Sequence, residues 1–525
     1  MKQSLRWLQR RTFLAGLLGA GGTAIASQLL PQSTQAQGLF RRPTQFFIAP
    51  DGSDRNSGTI NRPWASLDHA SQRLKPGDAL FLRDGVYEIT TPIEWQSSGT
   101  DGAWITIQNY PGETPIINAD AVEVGPWGVG DRPYPPEQGA ILIDQQHHVR
   151  VMGLTVVRSH SAGIAVRRSH HIDVFGNTTQ DTFSCGILFG AGFPVLESER
   201  CHHLRAIGNT IVGANNPELQ WLQPNEERRR KGAHEALSVG AVDYFELAYN
   251  EISHCDKELI DCKDSSRHGY VHHNYLHNGG SQGIYVDCYF ERLGDLEIAF
   301  NFIKSCKVGV ALAAEGGPLM EGIYLHHNII TDNLGSGIIF GRWHDDNLRK
   351  DILIEHNTIH HNGYGQGESE LPYWVTGGIY FYSTNIQNVV VRNNIFSVNK
   401  YFDIGYSDDY LSDGTKLQEI TIQNNAFHRP IQYDSPTYLD WTEENVHAID
   451  GEGIVFTEPP FFDSDISDFR ILSESLAAPD QRPNADPMFG AVAMTNLPIF
   501  WWATHFPPRR NWQQFSAVEW RNEME

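Results

Sequence analysis

Carboxylates and a lysine crowd one stretch of the chain, Lys231 to Asp264, which carries His234, Asp256, Glu258, Asp261 and Lys263. A strand pattern further on adds Tyr285, Asp287 and Tyr289, and Glu315 follows one repeat later. Residues of these types do acid–base chemistry. A protonated carboxyl gives its proton to a leaving group, a second carboxylate activates water or attacks, and a deprotonated lysine takes a proton from carbon. Tyr285, Tyr289, Trp343 and Tyr382, with His344, are of the kind that line sugar grooves, where an amphipathic ring offers both an apolar face and a polar edge. Such residues act together only if the fold brings distant segments side by side.

The element that does so is a repeat. An apolar residue, a polar residue, an asparagine and a further apolar pair recur around Asn177, Asn209, Asn250, Asn274, Asn301, Asn328, Asn357, Asn394 and Asn425, at intervals of 24 to 29 residues where no loop intervenes. That length is used up by two or three strands of about five residues plus turns, the rung of a β-solenoid. Asparagine tolerates left-handed backbone, and aligned amides can hydrogen-bond along a stack. A second strand element follows the asparagines by about ten residues (GILF at 186, LIDC at 259, GIYV at 283, GVAL at 309, GIIF at 337), and GIYF at 378 belongs to the same set after a longer gap. Alternation places Ile284, Val286 and Cys288 inside and Tyr285, Asp287 and Tyr289 outside. Counting from the asparagines sets Ile260 beneath Ile284, Cys262 beneath Val286 and Lys263 beneath Asp287. One outward face then carries Asp261, Lys263, Tyr285, Asp287, Tyr289 and Glu315.

Bulk properties narrow the function classes. The 525 residues are 40% hydrophobic and include 48 glycines, which suits turns and short strands better than a helical bundle. A formal charge of -23 argues against nucleic acid and anionic membrane as partners. Arg10-Arg11-Thr12-Phe13-Leu14, an apolar run and a small-residue site ending at Ala36 read as a twin-arginine export signal over 1–36, giving a periplasmic or secreted protein with no membrane contact after cleavage. A linker follows over 37–44. The six cysteines, Cys185, Cys201, Cys255, Cys262, Cys288 and Cys306, lack CxxC or zinc-like spacing, and a chain folded in a reducing cytosol would keep them as small buried residues. The segment after Pro43 reads as a strand, a turn, a helix from about Trp64 to Leu74 and a strand at Ala79–Leu82, the form of an end cap. Interruptions at 124–140, 215–233 and 362–376, rich in Pro, Gly and aromatics, are expected to wall or cover a groove. The paired histidines 272–273, 326–327 and 360–361 recur beside the repeat asparagines and read as turn residues. Beyond about Pro430 the periodicity fades, and 431–525 is expected to pack on or cap the helix.

Two resemblances add to this. Ala49-Pro50-Asp51-Gly52-Ser53, Pro63-Trp64-Ala65-Ser66-Leu67 and Pro76-Gly77-Asp78 through Gly85-Val86-Tyr87 resemble the amino-terminal cap of right-handed parallel β-helix proteins of the pectate-lyase-like superfamily. Asp256-x-Glu258 followed by Lys263, with His234-Glu235-Ala236 one coil earlier, resembles the active rungs of the chondroitinase B and alginate lyase family. The second resemblance implies that Asp256 and Glu258 bind calcium with His234 at a position where the family has asparagine, and that Lys263 abstracts the C5 proton of a uronate. This chain has Asp287 where the family has an arginine.

The expected architecture is an all-β, single-stranded right-handed parallel β-helix over 45–430 with an N-terminal helical cap. The expected function is an exported, monomeric polysaccharide lyase acting by β-elimination, with Lys263, Asp287, Asp261 and Glu315 as catalytic candidates. The same face also permits glycoside hydrolysis through the Asp261, Asp287 and Glu315 carboxyls. A non-catalytic carbohydrate-binding or envelope protein is the third reading.

Overall fold

The computed structural model describes residues 43–124, 137–190, 196–219, 235–364 and 377–427, and short strands at 446–448, 453–455, 461–463 and 468–471. The twin-arginine segment, most of the three interruptions and most of 431–525 lie outside the described residues, as do His234, Trp127, Trp221, Tyr373 and Trp374. Strands at equivalent places in successive coils pair in register into three long sheets, of thirteen, twelve and thirteen strands among the described residues. The first runs from Gln45–Ile48 to Ile420–Gln423. The second runs from Ile93–Trp95 to Phe402–Ser407, where Val446–Ala448 joins it, and the third from Gly85–Glu88 to Gly453–Val455. All pairings in these sheets are parallel except that of Val446–Ala448, which is antiparallel. The chain is a parallel β-helix, and no helix of the described residues is long and apolar enough to cross a membrane.

The interior follows from strand alternation. In the second sheet the inward column Ile187, Leu237, Ile260, Ile284, Val310, Ile338 and Ile379 is in register and fully buried. Because each strand presents an identical apolar face to the next, burial is continuous along the axis and the core lengthens with each coil. All six cysteines are buried and unbonded. The short helix spans Leu67–Ser71, capped by Ser66, whose Oγ accepts from His69 N at 3.2 Å, and it buries Leu67 and Ala70 in the core. It is shorter than expected because the Trp64 backbone is already bonded to Phe47 and Ala49, beside the first strand.

The nine repeat asparagines form one amide ladder. The side-chain N–H of each asparagine before Asn425 donates to the Oδ1 of the next, as in Asn250 to Asn274 and Asn274 to Asn301, both at 2.9 Å, and all nine also reach a backbone carbonyl, as Asn274 does that of Leu247 and Asn425 that of Val391. The left-handed position is one residue earlier than the sequence pattern suggested: Gly176, Gly208, Tyr249, His273, Phe300, His327, His356, Asn393 and Asn424 hold φ between 54° and 67°. Ring stacking along this column, for example His273 on Phe300 and Phe300 on His327, both at 5.0 Å, offsets the strain of placing bulky residues there. The asparagine itself is kept for its amide. Asn301→Ala is expected to leave several buried polar groups unpaired and to cost about 3 kcal/mol, read as a lower urea midpoint.

Candidate active site

The outward face of the second sheet assembles most of the expected residues. Register pairs Ser238 with Asp261 and Gly240 with Lys263, then Asp261 with Tyr285 and Lys263 with Asp287, as counted from the asparagines. Asp287 pairs in turn with Ala313, and Glu315 lies two residues past it. Above this face is a cleft of about 440 Å³, within the size range of ligand sites. Its lining includes Glu137, Glu235, Glu258, Lys257, Lys263, Asp264, Tyr285, Asp287, Tyr289 and Glu315.

Glu235 organises one end. Its carboxylate takes Lys257 Nζ at 2.8 Å on one oxygen, and Lys263 Nζ and Ser238 Oγ on the other. Lys263 also lies 3.1 Å from Asp261 Oδ2. The lysine therefore leans toward the preceding rung and not onto Asp287, the neighbour that register alone suggested. Gly240, the register partner of Lys263, makes room for Asp264, since a Cβ there would sit 2.8 Å from Asp264 Oδ2. Burial works against the ammonium of Lys263, but Glu235, Asp261 and Asp264 override it and hold its pKa well above the usual lysine value. Asp261 is fully buried, does not line the cleft, and has its pKa raised well above the carboxylate range by burial and by Glu235. The structure therefore does not bring Asp261 into the cleft beside Asp287, where the hydrolytic reading of the sequence expected the pair to meet.

Asp287 and Glu315 form the other end. Burial, then the charge of Glu315, pushes the Asp287 pKa up to about 8, so this carboxyl keeps its proton at neutral pH. Its Oδ1 is buried with no hydrogen-bond partner. The Tyr285 hydroxyl donates to Glu315 Oε1, and burial with Asp287 and Glu315 raises the phenol pKa well above its ordinary value. A hydroxyl that stays protonated is a fixed donor, and it orients the Glu315 carboxyl.

The remaining candidates divide. Tyr289 lines the cleft, with exposed His344 set edge-on to it at 6.1 Å. Trp343 is half-buried, folded over Gly341, where a Cβ would strike its ring, and set edge-on to Tyr285 at 5.9 Å. Trp343 and Tyr382 pack against Ala311, Ile339 and Tyr380 in an apolar cluster and do not line the cleft. Of the calcium set, Glu258 lines the cleft, with Oε1 taken by Ser281 Oγ at 3.0 Å and Oε2 buried without a hydrogen-bond partner. Asp256 is exposed and outside the cleft lining. Lys257, between them, already places an ammonium on Glu235, so the described donors do not gather the several oxygens calcium requires.

Sequence reasoning passed over Glu235. The signal was present: Glu235 stands two residues before Leu237 and Glu258 two before Ile260, and Leu237 and Ile260 are register partners. The two glutamates occupy equivalent places on successive rungs.

Family models agree with this architecture. The model for the right handed beta helix region matches residues 139–321 and 290–427, and that for the Pel9A-like right handed beta helix region matches 46–198. The chain belongs to the right-handed β-helix family. This β-helix is 24% identical over 485 residues to the uncharacterized protein YwoF of Bacillus subtilis, covering 82% of this chain and 92% of that one. Over 74 residues it is 36% identical to pectate lyase PEL9 of Emericella nidulans, covering 14% of this chain and 18% of that enzyme. Among solved structures it is similar to pectate lyase Pel9A (TM-score 0.44, 14% identity, 68% and 76% of the two chains). It is also similar to a family 28 exopolygalacturonase of Yersinia enterocolitica (TM-score 0.46, 12% identity, 79% and 78%). These likenesses concern the fold.

Proposed function

We propose that this β-helix is an exported enzyme that hydrolyses glycosidic bonds of a polysaccharide, with Asp287 as general acid and Glu315 as the carboxylate that activates water or attacks the anomeric carbon. The observation that carries this reading is the state of Asp287: a proton-bearing carboxyl in the cleft, one oxygen without a partner, beside a second carboxylate. A proton-bearing carboxyl beside a second carboxyl is what general acid–base hydrolysis needs. The leaving glycosidic oxygen takes the Asp287 proton while Glu315, oriented by the Tyr285 hydroxyl, acts on the sugar or on water. Charge supports a neutral or amino sugar at the centre. The described lining carries six carboxyls, Glu137, Glu235, Glu258, Asp264, Asp287 and Glu315, against two lysines that both pair with Glu235. A uronate carboxylate would enter against that surplus.

The Asp256-x-Glu258-x4-Lys263 spacing and the presence of Lys263 in the cleft favour a second reading, β-elimination of a uronate chain with Lys263 as base. Elimination leaves an unsaturated uronate that absorbs in the ultraviolet, whereas hydrolysis releases reducing ends without it. Incubation of the mature protein with neutral, amino-sugar and uronate polysaccharides is expected to release reducing ends without that absorbance. Ultraviolet-absorbing products from a uronate polymer would replace the hydrolytic reading with the lyase. Export by the twin-arginine route belongs to the same proposal and predicts a mature protein beginning at Gln37, checked by N-terminal sequencing of the exported chain.

A further inference from the structure

Three successive coils of the first sheet carry a histidine pair at one register position: His147-His148, His170-His171 and His202-His203, with His170 opposite both His147 and His202. The rings stack in two columns. His147, His170 and His202 are spaced 4.9 and 4.7 Å apart with planes within 9°, and His148, His171 and His203 are spaced 4.7 and 4.6 Å apart with planes within 11°. Consecutive strand residues normally point to opposite faces. Here the second histidine of each pair is left-handed, with φ of 55°, 53° and 55°, which turns its ring to the side of the first. The two Nδ1 atoms of each pair then meet at 3.0, 2.9 and 2.8 Å.

Stacking alone does not call for doubled histidine. The second column continues through Tyr244, 5.0 Å from His203, and His268, 4.7 Å from Tyr244, while the first gives way to Asp243, the register partner of His202. What the doubled rungs add is imidazole nitrogens at close range, one Nδ1 donating to the other within each pair while no ion is bound. Two imidazole nitrogens on one ion at about 2.0–2.1 Å each lie roughly 3 Å apart, the separation found within each pair. His170, His171 and His202 each bring one ligand nitrogen within 4.8 Å of the others, the one such group among the described residues.

We propose that His170, His171 and His202 form a binding site for a divalent transition-metal ion of the zinc, nickel or copper type, on a different sheet from the cleft. An all-imidazole set selects such ions over calcium or magnesium, which require oxygen. Three nitrogens leave a coordination position for water.

The test is calorimetric titration of untagged, metal-stripped mature protein with zinc, together with the visible spectrum of the copper-loaded protein. One zinc per chain and a nitrogen-ligated copper spectrum are expected. His171→Tyr, which keeps a ring in a column that already accepts Tyr244, and His202→Gln are each expected to weaken zinc binding by at least about tenfold. Their thermal midpoints without metal should match that of the wild type, and His268→Gln, in the same column, should bind as the wild type does. Failure of the wild type to bind micromolar zinc, binding unchanged in both ligand variants, or an equal loss in His268→Gln would each overturn the site.

Discussion

Asp287→Asn is expected to lower kcat by about 10²–10⁴-fold on a polysaccharide substrate while leaving KM nearly unchanged, because an amide keeps the shape and loses the proton a general acid donates. The effect depends on the leaving group. An aryl glycoside with an acidic phenol needs little protonation, so the variant should retain far more of its activity on that substrate. The pH profile carries the assignment further. Since burial and Glu315 hold the Asp287 pKa up to about 8, wild-type activity should persist through neutral pH and decline as Asp287 ionises above it. Asp287→Asn should lack that alkaline limb. A variant that keeps full turnover, or keeps the limb, rules out Asp287 as the acid.

The same substitution has an opposite effect on stability. A carboxyl whose folded pKa is raised binds its proton more tightly in the native than in the unfolded chain, so its contribution is present at low pH. It is lost as pH rises from the unfolded value of about 4 through the folded value. The slope of this loss is at most about 1.4 kcal/mol per pH unit. Asp287→Asn, which cannot ionise, escapes it. The variant's thermal midpoint should therefore gain on the wild type between about pH 4 and about pH 8 and hold a constant margin above that. Loss of activity with gain of stability is the signature of a group kept in an unfavourable setting for its chemistry.

The fold was legible in the sequence because its determinants are local and repeated. Asn250, Asn274, Asn301 and Asn328 mark the coils, and alternation in GIYV sets Tyr285 and Asp287 on the outer face; counting between asparagines gave the correct partner for Lys263. What register cannot give is the direction in which a long side chain leans. Lys263 has a long, flexible side chain and reaches Glu235 and Asp261 on its N-terminal side, a choice set by the charge of Glu235. Burial was likewise hidden. Asp261 and Asp287 alternate outward alike, yet Asp261 lies beneath Glu235 and Asp287 opens into the cleft. Trp343 had the composition of a sugar platform, but Gly341 two residues earlier lets its ring fold down onto the chain.

Glu235 and Lys263 yield the second large effect, and it separates a structural ion pair from a catalytic base. Glu235→Ala strips the shared carboxylate from Lys257 and Lys263 and leaves the Lys263 ammonium, only 16% exposed, beside the Asp261 carboxyl at 3.1 Å. Removing one member of such a pair costs about 3–5 kcal/mol, and exposure of Lys257 at 31% places the expected loss toward the lower figure. Lys263→Met should cost less, because Glu235 keeps the Lys257 ammonium at 2.8 Å. The double variant should be more stable than the sum of the single losses predicts, with a coupling energy of at least about 1 kcal/mol from denaturant unfolding. Kinetics then decide the role of the lysine. If Lys263 serves to anchor Glu235, Lys263→Met lowers kcat modestly and keeps the alkaline limb that Asp287 imposes. If it abstracts a proton, kcat collapses and the acid limb of the profile, which would report deprotonation of the lysine, disappears with it. The acidic groups that hold its pKa up, Glu235 first, make the first outcome the expected one.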